Sequence, residues 1–328
     1  MKKHLLLINL FLTVAGSALA IDNNTVEIVY SGSTAKVTIA SNISSYVTVA
    51  SGTSSHVKLV QNASFAGVNA NYDNPDGEIF YSLSGTSTDG EFYLEGSYKC
   101  TVELNGLTLS NPSGPAINIQ NGKRVEVSAK KGTTNTLSDG ANEEYNGCYH
   151  CKGHTKFKGK GVLNVKGNSK HAVYSKEYIE VKNLTLNITF AVKDGMHCRE
   201  YFLMESGTVS ISGVGDDGIQ VELDGTTSTG VTTDHEDEDT GNFYMTGGTL
   251  TISGYTGNAI KTDGTITYSG GTCNFNTSDT EIYAGIEDVN AVSGISTYYD
   301  LNGRPVAMPS RGVYVVRQGG KTFKRIVK

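Results

Sequence analysis

Short runs in which apolar and polar residues alternate recur through the middle of the chain. They include residues 162–165 (VLNV), 184–188 (LTLNI), 208–212 (TVSIS) and 249–253 (TLTIS). Alternation with a period of two is typical of a β-strand that buries one of its faces. The runs are not joined by segments with helical periodicity. The pattern therefore predicts an all-β protein built from many short strands.

A six-residue frame recurs between these runs, with a small residue in second place and, in most copies, an aliphatic residue in third. Copies lie at residues 147–152, 171–176, 194–199, 217–222 and 258–263, and 115–120 fits the same frame upstream. Successive second positions are 24, 23, 23 and 41 residues apart, and the last spacing is 23 plus an 18-residue insertion within 224–242. A repeat of this length with several strands indicates one coil of a parallel β-helix, because the LxxLxL pattern of leucine-rich repeats is missing. Parallel crossovers are right-handed by default, so we predict a right-handed parallel β-helix over residues 79–283.

Stacking of the coils assigns a place to each frame position. Equivalent residues of neighbouring coils lie ~4.8 Å apart and form ladders along the solenoid. The third positions are expected to form one interior stack, and the small second positions a tight corner beside it. The third positions are Val173, Met196, Ile219 and Ile260, and the second positions are Ala172, Gly195, Gly218 and Ala259.

Four motifs stand in order along this region: residues 133–140 (TTNTLSDG), 170–178 (KHAVYSKEY), 194–197 (DGMH) and 215–220 (GDDGIQ). With them the chain resembles the secreted carbohydrate-binding β-helix family whose members look like pectate lyases. The resemblance covers roughly residues 79–283. It implies a right-handed parallel β-helix, bound calcium, and affinity for plant cell-wall polysaccharide including polygalacturonate, without established lyase activity.

The end of the chain carries a second resemblance. Residues 299–306 (YDLNGRPV) and 311–316 (RGVYVV) are followed by a basic terminus. This pattern is similar to the C-terminal sorting domain of type IX secretion substrates. We predict a small β domain over residues 284–328, with turns at Asn302–Gly303 and Gly319–Gly320. The resemblance implies an export machinery as partner and a location at the outer surface of a Gram-negative bacterium or in its medium.

The beginning of the chain has the features of a secretory signal peptide over residues 1–20. Lys2 and Lys3 precede an apolar stretch, and a small-residue cleavage site ends at Ala20. The apolar stretch is too short to span a bilayer, and no later segment qualifies. Residues 21–78 are β-rich and are expected to form an N-terminal cap or lead-in.

Composition and charge narrow the possible partners. Glycine makes up 39 of 328 residues but proline only 5, so a collagen-like chain is excluded. After removal of the first twenty residues the net charge is −8, which divides into about −12 for residues 21–283 and +4 for residues 284–328. A body of this sign disfavours nucleic acid and anionic lipid as partners. An anionic polysaccharide would need a local basic patch or a bridging cation.

Five cysteines in an exported chain leave at least one unpaired: Cys100, Cys148, Cys151, Cys198 and Cys273. Cys148 and Cys151 form a CxxC motif, which can indicate redox chemistry or zinc. There is no second CxxC motif and no βαβ context around this one. We therefore expect buried free thiols.

The first frame position and its neighbour carry the candidate metal ligands. Asp194 and Asp217 are one coil apart and are expected ~5 Å from each other, with Asp216 as a third carboxylate. One interpretation is a polar ladder, with His171 and Asn258 in the same column, in which each side chain hydrogen-bonds the turn of the next coil. The other is a calcium site, because crowded carboxylates repel unless a cation bridges them. Further oxygens for calcium would come from a different column, from Glu222 and Asp263.

Another acidic segment lies in the insertion. Residues 234–239 hold five carboxylates in six positions but lack the spacing of an EF-hand loop. We interpret this segment as a solvated charged loop.

The fourth frame position is a candidate carbohydrate-binding strip. Zinc is not expected there, because the coil of Tyr174 separates His150 from His197 by ~10 Å. A column of tyrosine, histidine, glutamine and lysine suits a polysaccharide, and tyrosine must supply the aromatic faces since the chain has no tryptophan. The predicted carbohydrate-binding residues are Tyr149, Tyr174, His197, Gln220 and Lys261.

Three functions remain open at this stage. The first is a non-catalytic, calcium-assisted protein that binds polygalacturonate, pectin or cellulose. The second is a pectate-lyase-like enzyme, in which calcium acidifies the α-proton of a uronate and Lys193, Arg199 or Lys261 removes it. The third is a structural adhesin whose coils are stiffened by calcium.

Overall fold

The computed structural model describes residues 21–52, 54–65, 77–142, 144–225, 238–275, 297–301, 303–306, 312–318 and 321–327. Within these ranges the regular structure consists of 29 strands and one turn of 3-10 helix, Ser41–Ile43. The strands are β1 (Thr25–Ser31), β2 (Thr34–Ile39), β3 (Val47–Ser51), β4 (His56–Gln61), β5 (Phe80–Ser87), β6 (Glu91–Gly96), β7 (Cys100–Asn111), β8 (Ile117–Asn121), β9 (Val125–Ala129), β10 (Thr134–Asp139), β11 (Gly147–Cys151), β12 (Thr155–Gly159), β13 (Val162–Gly167), β14 (His171–Ser175), β15 (Ile179–Lys182), β16 (Thr185–Ala191), β17 (Met196–Arg199), β18 (Tyr201–Met204), β19 (Thr208–Ser212), β20 (Ile219–Glu222), β21 (Asn242–Met245), β22 (Thr249–Ser253), β23 (Ile260–Thr262), β24 (Ile266–Tyr268), β25 (Thr272–Phe275), β26 (Thr297–Tyr299), β27 (Pro305–Val306), β28 (Gly312–Gln318) and β29 (Lys321–Val327).

Three strands make each coil of the solenoid, and each strand pairs in parallel with its equivalent in the next coil. The first face runs β6, β8, β11, β14, β17, β20, β23. The second runs β9, β12, β15, β18, β21, β24, and the third β10, β13, β16, β19, β22, β25. Strand β7 turns a corner, since its first part pairs with β9 and its second part with β10. The predicted all-β parallel β-helix is confirmed.

The interior of the solenoid is built from the predicted ladders. Val173 pairs with Met196, Met196 with Ile219, and Ile219 with Ile260. All four side chains are buried. Side chains along a strand point alternately to its two sides, so the residues that precede and follow these four along each strand point outward. The register that buries this stack therefore also fixes which residues form the outer surface of the first face.

The small second positions are required by close contact across the coils. A Cβ added at Gly195 would lie 2.6 Å from Cγ2 of Ile211 and 2.7 Å from the carbonyl oxygen of Gly218. A Cβ added at Gly218 would lie 2.5 Å from the carbonyl oxygen of Ala259. Neither glycine has a positive φ. Space at the corner, and not a left-handed backbone, therefore selects glycine at these two positions.

The strands before residue 79 continue into the solenoid. The hairpins β1–β2 and β3–β4 are antiparallel. Strand β1 pairs in parallel with β5, and β4 pairs in parallel with β6. The first coil thus presents its edge to these two hairpins.

The end of the chain forms a separate four-stranded antiparallel sheet, in the order β27, β26, β28, β29. At the predicted first turn, the backbone N–H of Gly303 donates to the carbonyl of Asp300 (2.9 Å), and Gly303 has a φ of 78°. The second predicted turn, at residues 319–320, lies outside the described residues, as do the predicted signal peptide over 1–20 and residues 226–237 of the insertion. In the part of the chain that is described, no helix has the length and apolar character needed to cross a membrane.

All five cysteines are free thiols. Cys100, Cys148, Cys151 and Cys198 are buried, and Cys273 is partly buried. Burial raises the pKa of each of the four buried thiols, so they remain protonated. The expectation of buried free thiols is confirmed for these four, and the CxxC motif packs into the core.

Tyr149 is a core residue, and its predicted contact with carbohydrate is wrong. It occupies the third position of its frame and is 0% exposed. Its ring packs against Phe157, and its hydroxyl lies 3.2 Å from Oγ1 of Thr155, which in turn lies 3.0 Å from Oγ of Ser175. A polar tip that finds partners inside the solenoid allows a tyrosine to replace an aliphatic residue there.

We expect Tyr149→Phe to lower the free energy of unfolding by about 1 kcal/mol, because the ring stays and only one buried hydrogen bond is lost. Binding of polysaccharide should be unchanged. Urea unfolding and affinity gels measure the two quantities. A Tyr149→Phe protein that keeps its stability but binds carbohydrate less well would contradict the core assignment.

Candidate functional site

The outer surface of the first face carries one continuous column of polar and aromatic side chains. His150 aligns with Tyr174, and Tyr174 aligns with His197. The column continues through Gln220 to Lys261. The alternation that sends the neighbouring aliphatic residues inward sends these residues outward. Four of the five predicted carbohydrate-binding residues therefore lie in this single column.

Three rings of the column are stacked on one another. The ring centroids of His150 and Tyr174 are 5.2 Å apart with an interplanar angle of 12°, and those of Tyr174 and His197 are 5.5 Å apart with an angle of 28°. Tyr174 is 7% exposed and His197 8%. Because its neighbours lie against it from both adjacent coils, Tyr174 has no open ring face for a sugar. The predicted stacking of a sugar on the ring face of Tyr174 is therefore wrong.

Three carboxylates converge at one edge of this face, where the chain enters β17 and β20. Asp194, Asp216 and Asp217 each have an oxygen within 4.8 Å of the others. Asp194 and Asp217 are buried, whereas Asp216 is exposed. The repeat brings together the three aspartates that the sequence proposed.

The predicted polar ladder is present at the same place. Oδ1 of Asp194 accepts from the backbone N–H of Asp217 (3.0 Å). Oδ1 of Asp217 accepts from the backbone N–H of Asn258 (2.6 Å) and from its side-chain amide (3.1 Å). One oxygen of each buried aspartate therefore holds the turn of the next coil.

The second oxygens differ between the two buried aspartates. Oδ2 of Asp194 lies 2.9 Å from Nδ1 of His197 and 3.1 Å from Nδ1 of His171. Oδ2 of Asp217 is buried without a hydrogen-bond partner, and Nζ of Lys261 lies 3.5 Å from it. A buried oxygen of this kind costs free energy unless a cation or donor reaches it. The ladder and a cation site are therefore compatible, because each uses a different oxygen of Asp217.

The electrostatics of the three carboxylates are uneven. Burial alone would raise the pKa of Asp194, but the hydrogen bonds from His171 and His197 outweigh it and hold that pKa well below its usual range. Desolvation and repulsion from Asp217 and Asp194 raise the pKa of Asp216. Burial lowers the pKa of His171, which is therefore neutral at pH 7. A divalent cation would relieve the repulsion that Asp216 experiences.

Glu222 and Asp263 do not join this group. Glu222 accepts from the amide of Gln220 (2.6 Å), and its other oxygen lies 3.4 Å from Nε2 of His197. Asp263 accepts from the backbone N–H of Leu223 (3.1 Å). Along the chain both residues come after the fourth-position residue of their frame, whereas the aspartates come before it. Their assignment as ligands of the same ion is corrected, because the width of the strand separates them from it.

Of the three candidate bases, only Lys261 contacts the aspartates. Nη1 of Arg199 lies 2.8 Å from Oδ1 of Asp224, so this side chain is engaged at the other edge of the face. Lys193 is exposed next to Asp194. In the acidic segment, residues 234–237 lie outside the described ranges, and Asp239 accepts from the backbone N–H of Asp224 (2.7 Å). Lys261 is the candidate base that contacts the aspartates.

Sequence reasoning placed His171 in the ladder but gave it no role at the site. In the structure it contacts Asp194, and its ring lies 4.5 Å from that of His197. The signal was available, because His171 and Asp194 are 23 residues apart in the same column. What the spacing could not show is that the side chains of two frame positions turn toward the same carboxylate oxygen.

Comparison with known proteins gives a family and a fold. No curated protein matches the chain. The solved structure of a polysaccharide lyase-like protein from C. thermocellum, a gadolinium derivative, has a TM-score of 0.53 and 17% identity, and covers 77% of this chain and 98% of that one. A family model described as carbohydrate-binding domain-containing protein matches residues 74–304, which include the whole first face from β6 to β23. The chain belongs to this family of carbohydrate-binding domain-containing proteins.

Proposed function

We propose that the protein is an exported, non-catalytic binding protein for a plant cell-wall polysaccharide, with polygalacturonate as the preferred class and calcium as the bridge. The observation that carries the proposal is Oδ2 of Asp217, which is buried without a hydrogen bond beside Asp194 and Asp216, at the edge of the polar column of the first face. A column several coils long suits an extended chain better than a single sugar.

The three aspartates fit calcium by their chemistry. Carboxylate oxygens are the ligands that calcium prefers, and calcium accepts six to eight of them, so uronate carboxylates can complete the shell. Asp216 is exposed and would face both the ion and the polysaccharide. Asp194 would share its Oδ2 with His171 and His197, which already lie within 3.1 Å of that oxygen.

Lys261 supports an anionic glycan at the same position. Its Nζ lies 3.5 Å from Asp217, and its side chain is 47% exposed. With calcium on the aspartates, this ammonium would be available to a uronate carboxylate. Gln220, one coil earlier in the same column, would add an amide to the glycan hydroxyls.

A lyase is the second candidate, because Lys261 beside a calcium site has the arrangement that β-elimination needs. In this structure Lys261 is paired with Asp217. Desolvation lowers its pKa, but the attraction of Asp217 and the other aspartates outweighs desolvation and raises the pKa above its usual value. The lysine is therefore a cation at neutral pH, which suits binding of a carboxylate better than removal of a proton.

Export is part of the proposal. Lys2, Lys3 and the apolar segment that follows them favour secretion, and the tail over residues 284–328 favours delivery to the outer surface of a Gram-negative bacterium through its sorting machinery. An outer surface is where a cell would meet an extracellular polysaccharide. A structural adhesin would share this location but would bind no polysaccharide in the assay below.

We expect polygalacturonate to retard the protein in affinity gels with calcium, and a chelator to weaken the retardation at least ~10-fold. Lys261→Ala should weaken it ~5–10-fold through loss of one charge contact. The matched control is Lys152→Ala, an exposed lysine of the same face four coils away, which should bind like the unaltered protein. Retardation that ignores both calcium and Lys261 would contradict the proposed site.

The same incubation separates binding from chemistry. Unsaturated uronates formed by elimination absorb in the ultraviolet, so absorbance is followed with time in the presence of polygalacturonate and calcium. Constant absorbance together with gel retardation is the expected outcome. A steady rise that is lost in Lys261→Ala would replace the binding protein by a lyase.

A further inference from the structure

A second group of metal-ligating side chains lies at the corner between the first and second faces. His154 precedes β12, Glu177 precedes β15 by two residues, and Glu200 precedes β18. The three offer one imidazole nitrogen and two carboxylate oxygens, all within 4.8 Å of one another. None of them belongs to the column or to the three aspartates described above.

The repeat itself brings these residues together. Glu177 and Glu200 are 23 residues apart and occupy the same place in successive coils. Each is followed by a tyrosine, and the rings of Tyr178 and Tyr201 stack with centroids 4.7 Å apart. The ring of His154 packs on Tyr178, with centroids 4.4 Å apart. Packing of the aromatic residues on neighbouring coils therefore holds the imidazole beside the two carboxylates.

Glu200 carries the evidence for a ligand. It is 4% exposed, and its Oε2 is buried without a hydrogen-bond partner, at 3.3 Å from Nε2 of His154. Its φ of 63° lies in the left-handed region, which a side chain other than glycine, asparagine or aspartate rarely adopts. Residues held in such a conformation occur preferentially where a function requires them. The backbone of Glu200 is fixed from outside, since its carbonyl accepts from the N–H of Gly241 (2.6 Å).

The surroundings add negative charge to this corner. Asp224 is nearly buried and engages Arg199, while its backbone N–H donates to Asp239. Nζ of Lys176 lies 3.7 Å from Oε1 of Glu177. Burial and the contact with Glu200 raise the pKa of Glu177 to about 8. Burial raises the pKa of Glu200 to about 7, although the hydrogen bond with Glu177 lowers it. Two carboxyls this close, that of Glu200 buried and that of Glu177 half-buried, are more stable with a cation between them than as a pair of anions.

We propose that His154, Glu177 and Glu200 form a second metal site, selective for a divalent cation of the zinc class. The donor set of one imidazole and two carboxylates suits zinc and other first-row divalent ions, whereas calcium prefers oxygen ligands alone. Ligand atoms a few ångströms apart are spaced as the ligands of one four-coordinate ion are. The ion would join three successive coils at the corner that precedes the insertion.

The test is a calorimetric titration of the untagged, full-length, chelator-treated protein with zinc chloride in the presence of excess calcium. It measures the zinc affinity and the number of zinc ions bound per chain. We expect one zinc per chain. His154→Gln and Glu200→Gln should each weaken zinc binding at least ~10-fold, because each removes one ligand of the metal. Glu205→Gln, which changes a half-exposed carboxylate at the next corner, paired with Lys182, is the matched control and should bind zinc like the parent.

Stability in chelator shows whether the variants fold. Glu200→Gln removes one of two crowded carboxyls and should unfold at the same or a higher temperature than the parent. Zinc should raise the unfolding midpoint of the parent but not that of Glu200→Gln. If Glu200→Gln does not fold, Glu177→Gln replaces it in the same comparison. Zinc uptake that is absent, or that survives both ligand substitutions, overturns the proposal and leaves the two glutamates as a pair that shares a proton. Asp217→Asn should keep zinc binding, so failure of the calcium site would not be mistaken for failure of this one.

Discussion

Asp217→Asn is expected to weaken calcium binding at the proposed site by roughly 100-fold, because it removes the charge from Oδ2 of Asp217, which is buried without a hydrogen bond. The ladder should survive, since the asparagine oxygen can still accept from the backbone N–H of Asn258. Isothermal calorimetry of the chelator-treated protein measures the affinity directly.

The effect of the same substitution on stability should depend on calcium. If calcium binds as proposed, calcium at about 1,000 times its dissociation constant should add about 4 kcal/mol to the free energy of unfolding of the parent protein, and this increment should disappear in Asp217→Asn. Without calcium the free energies of unfolding of the two proteins should agree within about 1 kcal/mol. The substitution removes a partly exposed ion pair with Lys261, but it also relieves the repulsion from Asp194 and Asp216.

Asp263→Asn is the matched control for the proposed calcium site. This residue is exposed and accepts one backbone hydrogen bond, and it lies away from the three aspartates. Calcium affinity should change by less than about twofold. Equal losses in Asp217→Asn and Asp263→Asn would place the ion elsewhere on the face, and unchanged affinity in Asp217→Asn would leave the aspartates as a polar ladder only.

Gly218→Ala is expected to lower the free energy of unfolding by about 2–3 kcal/mol. The added Cβ would lie 2.5 Å from the carbonyl oxygen of Ala259 and 2.5 Å from Cγ2 of Ile252. The first atom belongs to the backbone that continues the ladder, and the second to a stiff, buried β-branched side chain, so neither can move aside at low cost. Urea unfolding followed by circular dichroism measures the loss.

Gly122→Ala provides the comparison for the corner glycine. Gly122 is an exposed corner residue between β8 and β9, and a Cβ added there would meet nothing within 4 Å. Its substitution should change the free energy of unfolding by no more than about 0.5–1 kcal/mol, and the reduced freedom of the unfolded chain favours a gain. Similar stability of Gly218→Ala and Gly122→Ala would show that the coils can separate locally and that close contact does not select Gly218.

Residues near the aspartates show why a site is harder to predict than a coil. Asp194, Asp216 and Asp217 could be grouped from their spacing, because a ladder places equivalent residues ~4.8 Å apart whatever their side chains do. Glu222 and Asp263 were assigned to the same ion wrongly, although the repeat already placed them in a different column, because the repeat does not show which partners a side chain contacts. Glu177 and Glu200 recur at the same period, but a carboxylate pair at a corner is ordinary on a soluble protein.

The pattern of the sequence by itself determined the architecture. A 23-residue period with alternating strands leaves one way to bury every apolar face, which is to stack the coils, and the register of the interior ladder follows from it. The tertiary structure decided what each ladder does. It buried Tyr149, enclosed the ring of Tyr174 between two histidines, and left single oxygens of Asp217 and Glu200 without hydrogen bonds. These outcomes depend on rotamers and on contacts between faces of different coils, and a repeat period along one dimension does not specify them.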